Sequence, residues 1–100
     1  MMQKPRRSQL EIVAELLRIA SQGGATKTAL VYKANLNFKL VQRYLDYLES
    51  KGMIVHSDGE PGIVYYSTEK GREALRTIGR TLDFMSWNKG PKKAATAYAS

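Results

Sequence analysis

Residues 37–54, NFKLVQRYLDYLESKGMI, carry the clearest structural signal in this chain. Asn37 is suited to cap a helix, because its side-chain oxygen can accept a hydrogen bond from an unpaired amide of the first turn. Gly52 is suited to the left-handed backbone conformation that commonly ends a helix. The sequence therefore predicts one helix between these two residues, followed directly by a β-strand that begins at Met53.

This predicted helix has two different sides. At about 100° per residue, Val41, Leu45 and Leu48 fall on one side and are expected to be buried. The other side carries the polar residues Lys39, Gln42, Arg43, Asp46 and Ser50. A helix that buries one side and presents donors on the other fits the major groove of DNA. An ordinary surface helix, whose polar side faces only solvent, has the same pattern. The elements before and after this helix are therefore needed to choose between the two interpretations.

The composition limits the class of protein. The chain has 100 residues and a net charge of +7, from 16 Lys and Arg against nine Asp and Glu, which favours a polyanionic partner. It contains no cysteine, so disulfides and thiolate zinc sites are excluded. The sequence shows neither a secretion signal nor an apolar segment of the roughly 18 residues that a membrane span needs. We therefore expect a cytoplasmic protein without a membrane partner.

Two further helices are predicted before residue 37. Ser8 and Glu11 form a capping box for the first helix, which should end before Gly23 and Gly24. The first helix is apolar on two adjacent sides, so it needs neighbours on both, supplied by its own domain or by a second subunit. The second helix covers about residues 26–34. The short turn to residue 37 predicts a steep angle between the helices, as in a helix-turn-helix.

Two strands and a long helix are predicted after Gly52. Residues 53–56 and 63–67 form a β-hairpin around a loop rich in glycine and proline, in the position of a wing. Thr68 caps the last helix, in which Gly71 and Gly79 each cost about 1 kcal/mol relative to alanine. Apolar residues spaced three, four and three apart predict a coiled-coil seam on this helix, formed by Leu75, Ile78, Leu82 and Met85.

The complete order of elements resembles the winged-helix superfamily. Residues 36–54 are similar to the MarR-type pattern, and residues 68–75 match the start of the helix that follows the wing in such proteins. Residues 27–36 and 44–48 are similar to small archaeal winged helix-turn-helix proteins, a likeness that extends over residues 6–75. That group includes dimeric chromatin-associated proteins and regulators. In its chromatin members the last helix pairs with its mate as an antiparallel coiled coil.

The resemblance implies a mainly α fold with a small β-hairpin: three helices, a wing and a long C-terminal helix. We expect a flexible basic arm at residues 1–7 and a winged-helix domain at residues 8–87. The last helix of this domain, residues 68–87, is expected to form the dimer through the seam. Residues 88–100 are expected to be a flexible basic tail.

A DNA-binding surface follows from these predictions. Its candidate residues are Asn37, Lys39, Gln42 and Arg43 on the third helix, Lys27 and Lys33 on the second, and Arg6 and Arg7 in the arm. Lys39, Gln42 and Arg43 would enter the major groove, where Arg43 can form a bidentate contact with guanine and Gln42 with adenine. Lys27, Lys33 and the arm would contact phosphates. Leu40 and Tyr47 flank this surface and are expected to pack under the helix or against the wing.

The predicted function is binding of double-stranded DNA by a homodimer that acts as a transcriptional regulator or a nucleoid-associated architectural protein. The alternative is a protein-interaction winged helix within a larger complex. RNA binding is less favoured, because no exposed aromatic platform is expected. His56, the single histidine, cannot form a metal cluster or a serine triad. We therefore expect no enzyme activity, cofactor, metal or evident small-molecule ligand.

Overall fold

A computed structural model describes residues 8–60 and 62–85. Its elements, in chain order, are α1 (Gln9–Ala20), α2 (Lys27–Ala34), α3 (Phe38–Ser50), β1 (Ile54–Ser57), β2 (Val64–Ser67) and α4 (Glu69–Phe84). The predicted mainly helical fold with one small hairpin is therefore confirmed. The predicted arm and tail, including Arg6 and Arg7, lie outside the described residues.

The helices begin at the capping residues that the sequence predicted. In the capping box of α1, the backbone N–H of Glu11 donates to Ser8 Oγ over 3.1 Å, and the N–H of Ser8 donates to Glu11 Oε1 over 2.9 Å. Asn37 caps α3, because its Oδ1 accepts from the N–H of Leu40 over 2.7 Å. Gly52 has a φ of +75°, which is the left-handed conformation expected after α3.

The core forms where α1 is enclosed by the rest of the chain. The largest fully buried side chains are Leu16, Leu17, Leu30, Val41, Leu45, Leu48 and Ile54. α4 lies along α1, and α2 and β2 also contact it. Of the two alternatives for the apolar sides of α1, the structure supports coverage by its own domain. Leu10 is the exception, since 48% of it remains exposed.

The hairpin is attached to α1 and to the segment that follows it. β1 and β2 are antiparallel, with Ile54 opposite Ser67. Tyr65 exchanges two backbone hydrogen bonds with Ala25, at 2.9 and 2.8 Å, and this short bridge was not predicted. The buried Ser67 donates its hydroxyl to the carbonyl oxygen of Leu17 over 2.7 Å. The wing therefore has a fixed position beside α3.

The two glycines of α4 lie in different surroundings. Gly71 is buried, and a Cβ atom there would overlap the carbonyl oxygen of Met53 and lie 3.2 Å from Leu17 Cδ2. A Cβ atom at Gly79 would have nothing within 4 Å. The expectation that both glycines simply weaken the helix is therefore wrong for Gly71, which allows α4 to approach the end of α3.

We predict opposite effects of alanine at these two positions. Gly71→Ala should lower the free energy of unfolding by about 1–3 kcal/mol, because the added methyl group overpacks a close backbone contact. Gly79→Ala should raise it by about 1 kcal/mol through better helix propensity. Urea unfolding followed by circular dichroism measures both. Equal effects of the two substitutions would contradict the close approach at Gly71.

Candidate nucleic-acid interface

α3 presents a basic surface on the side opposite its buried residues. Lys39 and Arg43 are both exposed and lie one helical turn apart. Asn37 is also exposed, but its side-chain oxygen is occupied by the cap of α3, which leaves its amide nitrogen available for another contact. Because Val41, Leu45 and Leu48 are fully buried, this helix is held firmly while its basic side faces solvent.

Gln42 has a partner on the same helix. Its Nε2 donates a hydrogen bond to Asp46 Oδ1 over 2.9 Å. Gln42 is half-buried at the edge of the basic surface, and Asp46 is exposed. The sequence placed both residues on the polar side of α3 but did not predict this bond, which depends on the side-chain conformations of two residues four positions apart.

α2 carries the two lysines that the sequence analysis assigned to the DNA-binding surface. Lys33 is exposed at the end of α2, but Lys27 is only half-exposed at its start. Tyr32 of the same helix is 80% exposed, and the sequence analysis did not identify it as a candidate. Its phenolic hydroxyl can donate to a phosphate oxygen. Three consecutive residues between α2 and α3, residues 35–37, complete the short turn.

Exposed aromatic residues occur on α3 as well. Phe38 is 52% and Tyr47 is 53% exposed, so α2 and α3 carry three exposed aromatic side chains when Tyr32 is included. More than half of the surface of Tyr47 is therefore left unpacked. With Leu40, it lines an open groove whose other side is Leu10 and Val13 of α1. Lys51 Nζ also lies 5.6 Å from the centre of the Tyr47 ring.

The tip of the wing is acidic. Asp58 and Glu60 are both exposed in the loop between β1 and β2. Negative side chains are repelled by the phosphates that line a minor groove. Within the described part of this loop, nothing therefore supports insertion of the wing into DNA.

A pair of side chains joins the wing to the last turn of α3. His56 Nδ1 lies 2.5 Å from Glu49 Oε2, and the His56 ring lies 5.7 Å from the ring of Tyr65. The hydrogen bond with Glu49 and the charge of that carboxylate raise the pKa of His56. Burial is the main cause that raises the pKa of Tyr65. The wing is thus connected to the C-terminal turn of α3 by a hydrogen bond, which becomes an ion pair when His56 is protonated.

The predicted seam of α4 divides into two parts. Leu75 packs against the chain's own core, together with Ala74. Ile78 and Leu82 are only half-buried, and Met85 is 48% exposed. Phe84, which the sequence analysis did not single out, is 78% exposed at the end of the helix. The second half of α4 therefore has apolar surface that the described residues leave uncovered.

Neither a metal-binding cluster nor a membrane-spanning helix is found in the described part of the chain. Residues 8–60 and 62–85 contain no group of three or more His, Cys, Asp or Glu side chains that could hold a metal ion. None of the helices described is long and apolar enough to cross a membrane. The surface on α2 and α3 is thus the candidate site that the geometry defines most clearly.

The class of protein follows from the fold and from comparison with known families. The winged helix-turn-helix family model matches residues 6–86, and the chain belongs to that family. Its helices α2 and α3 are the helix-turn-helix, and the hairpin is the wing. The fold is that of DNA-binding proteins and transcription regulators.

Similar proteins are found in archaea. An uncharacterized protein of Methanocaldococcus jannaschii is 30% identical over 81 residues, which cover 81% of this chain and 79% of the relative. The crystal structure of Sso10a-2, a DNA-binding protein from Sulfolobus solfataricus, is similar with a TM-score of 0.76 and 23% identity, over 94% of this chain and 98% of that one. The transcriptional regulator BldR from Sulfolobus solfataricus has a TM-score of 0.70 and 16% identity, over 89% and 68%.

We predict that Glu49→Gln lowers the pKa of His56 towards its ordinary value of 6.5. Because the folded-state pKa is raised, the contact stabilises the fold fully below the unfolded-state pKa, and this contribution is lost as pH rises through the folded-state value. The stability difference between the wild type and Glu49→Gln should therefore shrink as pH rises.

Proton NMR can follow this titration without overlap, because His56 is the only histidine. Glu60→Gln is the matched control, since it removes a carboxylate from the wing tip without touching the pair. An unchanged His56 pKa in Glu49→Gln would show that the contact is absent in solution.

Proposed function

We propose that this protein binds double-stranded DNA as a homodimer, with α3 of each subunit in the major groove. The observation that carries this proposal is the exposed basic side of α3, where Lys39 and Arg43 project from a helix whose other side is anchored in the core. Arg43 supplies the fork of donors that matches the edge of guanine. Lys33 and Lys27 would contact the phosphates beside the groove.

The distribution of charge supports α3, rather than the wing, as the main contact. The whole chain has a net charge of +7, which attracts a polyanion over a distance. Asp58 and Glu60 make the described wing tip unfavourable next to phosphates. The exposed basic residues of α3 and α2 therefore face the DNA in this proposal, and the wing stays at the edge of the interface.

The apolar second half of α4 supports the homodimer. Ile78, Leu82 and Met85 follow the seam spacing, and none of them is fully buried by the chain's own described residues. Apolar surface of this kind is stabilised by pairing with the same surface of a second copy. Two linked DNA-binding heads would also bind more tightly than one, because the second contact becomes intramolecular.

We propose a transcriptional regulator or a nucleoid-associated architectural protein, located in the cytoplasm with the DNA. The two roles differ in how strongly binding depends on the base sequence. A regulator needs base contacts, whereas an architectural protein can rely on phosphates alone. Sequence selection from a random duplex pool separates the two roles directly.

We predict that binding to random duplex DNA is strong at low salt and weakens steeply as salt is added. About five to eight phosphate contacts per dimer give a log–log slope of about −4 to −7. Lys39→Ala should weaken binding and make the slope shallower by about one. Lys70→Ala, which removes an exposed charge on α4, is the control. It should change neither the affinity nor the salt slope strongly.

The same titration tests the competing functions. Affinity that stays flat over a fourfold change in salt would overturn an electrostatic DNA contact. Tighter binding to single-stranded RNA than to duplex DNA would favour a role for the exposed Tyr32, Phe38 and Tyr47 as stacking platforms. Absence of binding to any nucleic acid would favour the protein-interaction alternative.

We predict that Ile78→Glu abolishes the dimer, because burying an unpaired charge in an apolar interface costs several kcal/mol. Thr77→Glu is the matched control, since Thr77 is exposed on the adjacent position of the same helix. Sedimentation velocity measures the oligomeric state of each variant. A monomeric wild type at tens of micromolar, roughly the range that separates stable from transient dimers, would contradict the homodimer.

A further inference from the structure

The hydrogen-bonded side chains of Gln42 and Asp46 occupy a position on α3 that core packing does not explain. The Gln42 Nε2 donates to Asp46 Oδ1 over 2.9 Å on the solvent side of α3. Asp46 is exposed and contributes nothing to the core. Its carboxylate lies on the same side of the helix as Lys39 and Arg43, four residues and one turn beyond Gln42.

A carboxylate at this position is unfavourable for a surface that contacts only phosphates. It reduces the positive charge of α3 and lowers affinity for every DNA sequence alike. A protein can accept such a general loss when the same group improves discrimination between sequences. The presence of Asp46 on the basic side of α3 therefore points to base recognition.

The chemistry of the two side chains fixes how the Gln42 amide is oriented. An ionised carboxylate can only accept hydrogen bonds, so it pairs with the nitrogen end of the amide and not with its oxygen. After this bond is made, Gln42 keeps its second N–H and its carbonyl oxygen. These are the donor and the acceptor that the N7 and N6 positions of adenine require in the major groove.

We propose that Asp46 is a positioning residue that orients the Gln42 amide to read an adenine, so that the pair sets the sequence preference of the protein. This inference rests on the proposed DNA-binding function. Holding the amide in one orientation before binding reduces the side-chain ordering that the contact requires. Asp46 itself contacts no base in this arrangement and acts through Gln42.

The experiment begins with the full-length wild-type protein and a random duplex DNA pool, from which the preferred site is selected. Fluorescence anisotropy then measures affinity for this site and for the same site with the adenine pair replaced. We expect the wild type to prefer the adenine site by about tenfold, within the range of a bidentate base contact. Gln42→Ala should remove most of that preference.

Two substitutions of Asp46 separate its hydrogen bond from its charge. Asp46→Ala removes the acceptor that orders Gln42 and should lower the adenine preference clearly, although by less than Gln42→Ala, which removes the base contact itself. Asp46→Asn keeps an oxygen acceptor but adds N–H donors, so it orients the Gln42 amide less completely and should retain only part of the preference. Both variants should bind the site without the adenine more tightly than the wild type does, because a negative charge is removed. The double variant Gln42→Ala/Asp46→Ala should lose no more of the adenine preference than Gln42→Ala alone, because Asp46 acts only through Gln42.

Glu73→Ala is the matched control, since it removes an exposed carboxylate from α4 and should leave the adenine preference unchanged. Circular dichroism checks that each variant remains folded. A full adenine preference in Asp46→Ala, with loss in Gln42→Ala, would overturn the positioning role. A wild type that binds duplex DNA without any sequence preference would overturn it too. A wild type that binds no duplex DNA would instead refute the proposed function on which the inference rests.

Discussion

The first turn of α4 rests directly on the backbone that ends α3, and this contact organises the whole domain. The N–H of Thr68 donates to the carbonyl oxygen of Met53 over 3.0 Å, and its hydroxyl donates to the carbonyl oxygen of Gly52 over 2.7 Å. The same hydroxyl accepts from the N–H of Gly71 over 3.0 Å, which caps α4. Because Gly71 has no side chain, the helix can approach this closely. One junction therefore sets the direction of α4, the end of α3 and the start of the wing.

This junction also explains why α1 needs no second subunit to cover its centre. With its start fixed at the end of α3, α4 lies along α1 and covers the side that α2 and β2 leave open. Leu16 and Leu17, which face different directions on α1, are both completely buried as a result. The apolar surface that remains is at the first turn, at Leu10, and on the second half of α4.

Local signals made most of the fold predictable from the sequence. The capping residues Ser8, Asn37 and Thr68 act on amides within three positions, so their role can be inferred without knowing the fold. Gly71 could not be interpreted this way, because its neighbour Met53 is close in space and distant in sequence. The bridge between Ala25 and Tyr65 was missed for the same reason.

The sequence predicted which charged residues lie in the candidate site, but it predicted few of their side-chain contacts. Helical spacing placed Lys39 and Arg43 on the solvent side of α3, where the structure has them. It could not show that Gln42 is bonded to Asp46, or that Tyr32 is 80% exposed, because these depend on side-chain conformation and on how α2 packs. A polar helix face can attract DNA through its net charge alone. Under the proposal made above, it would distinguish sequences through donors and acceptors that are held in place. The buried side of α3 and the hydrogen bond between Gln42 and Asp46 would supply that order.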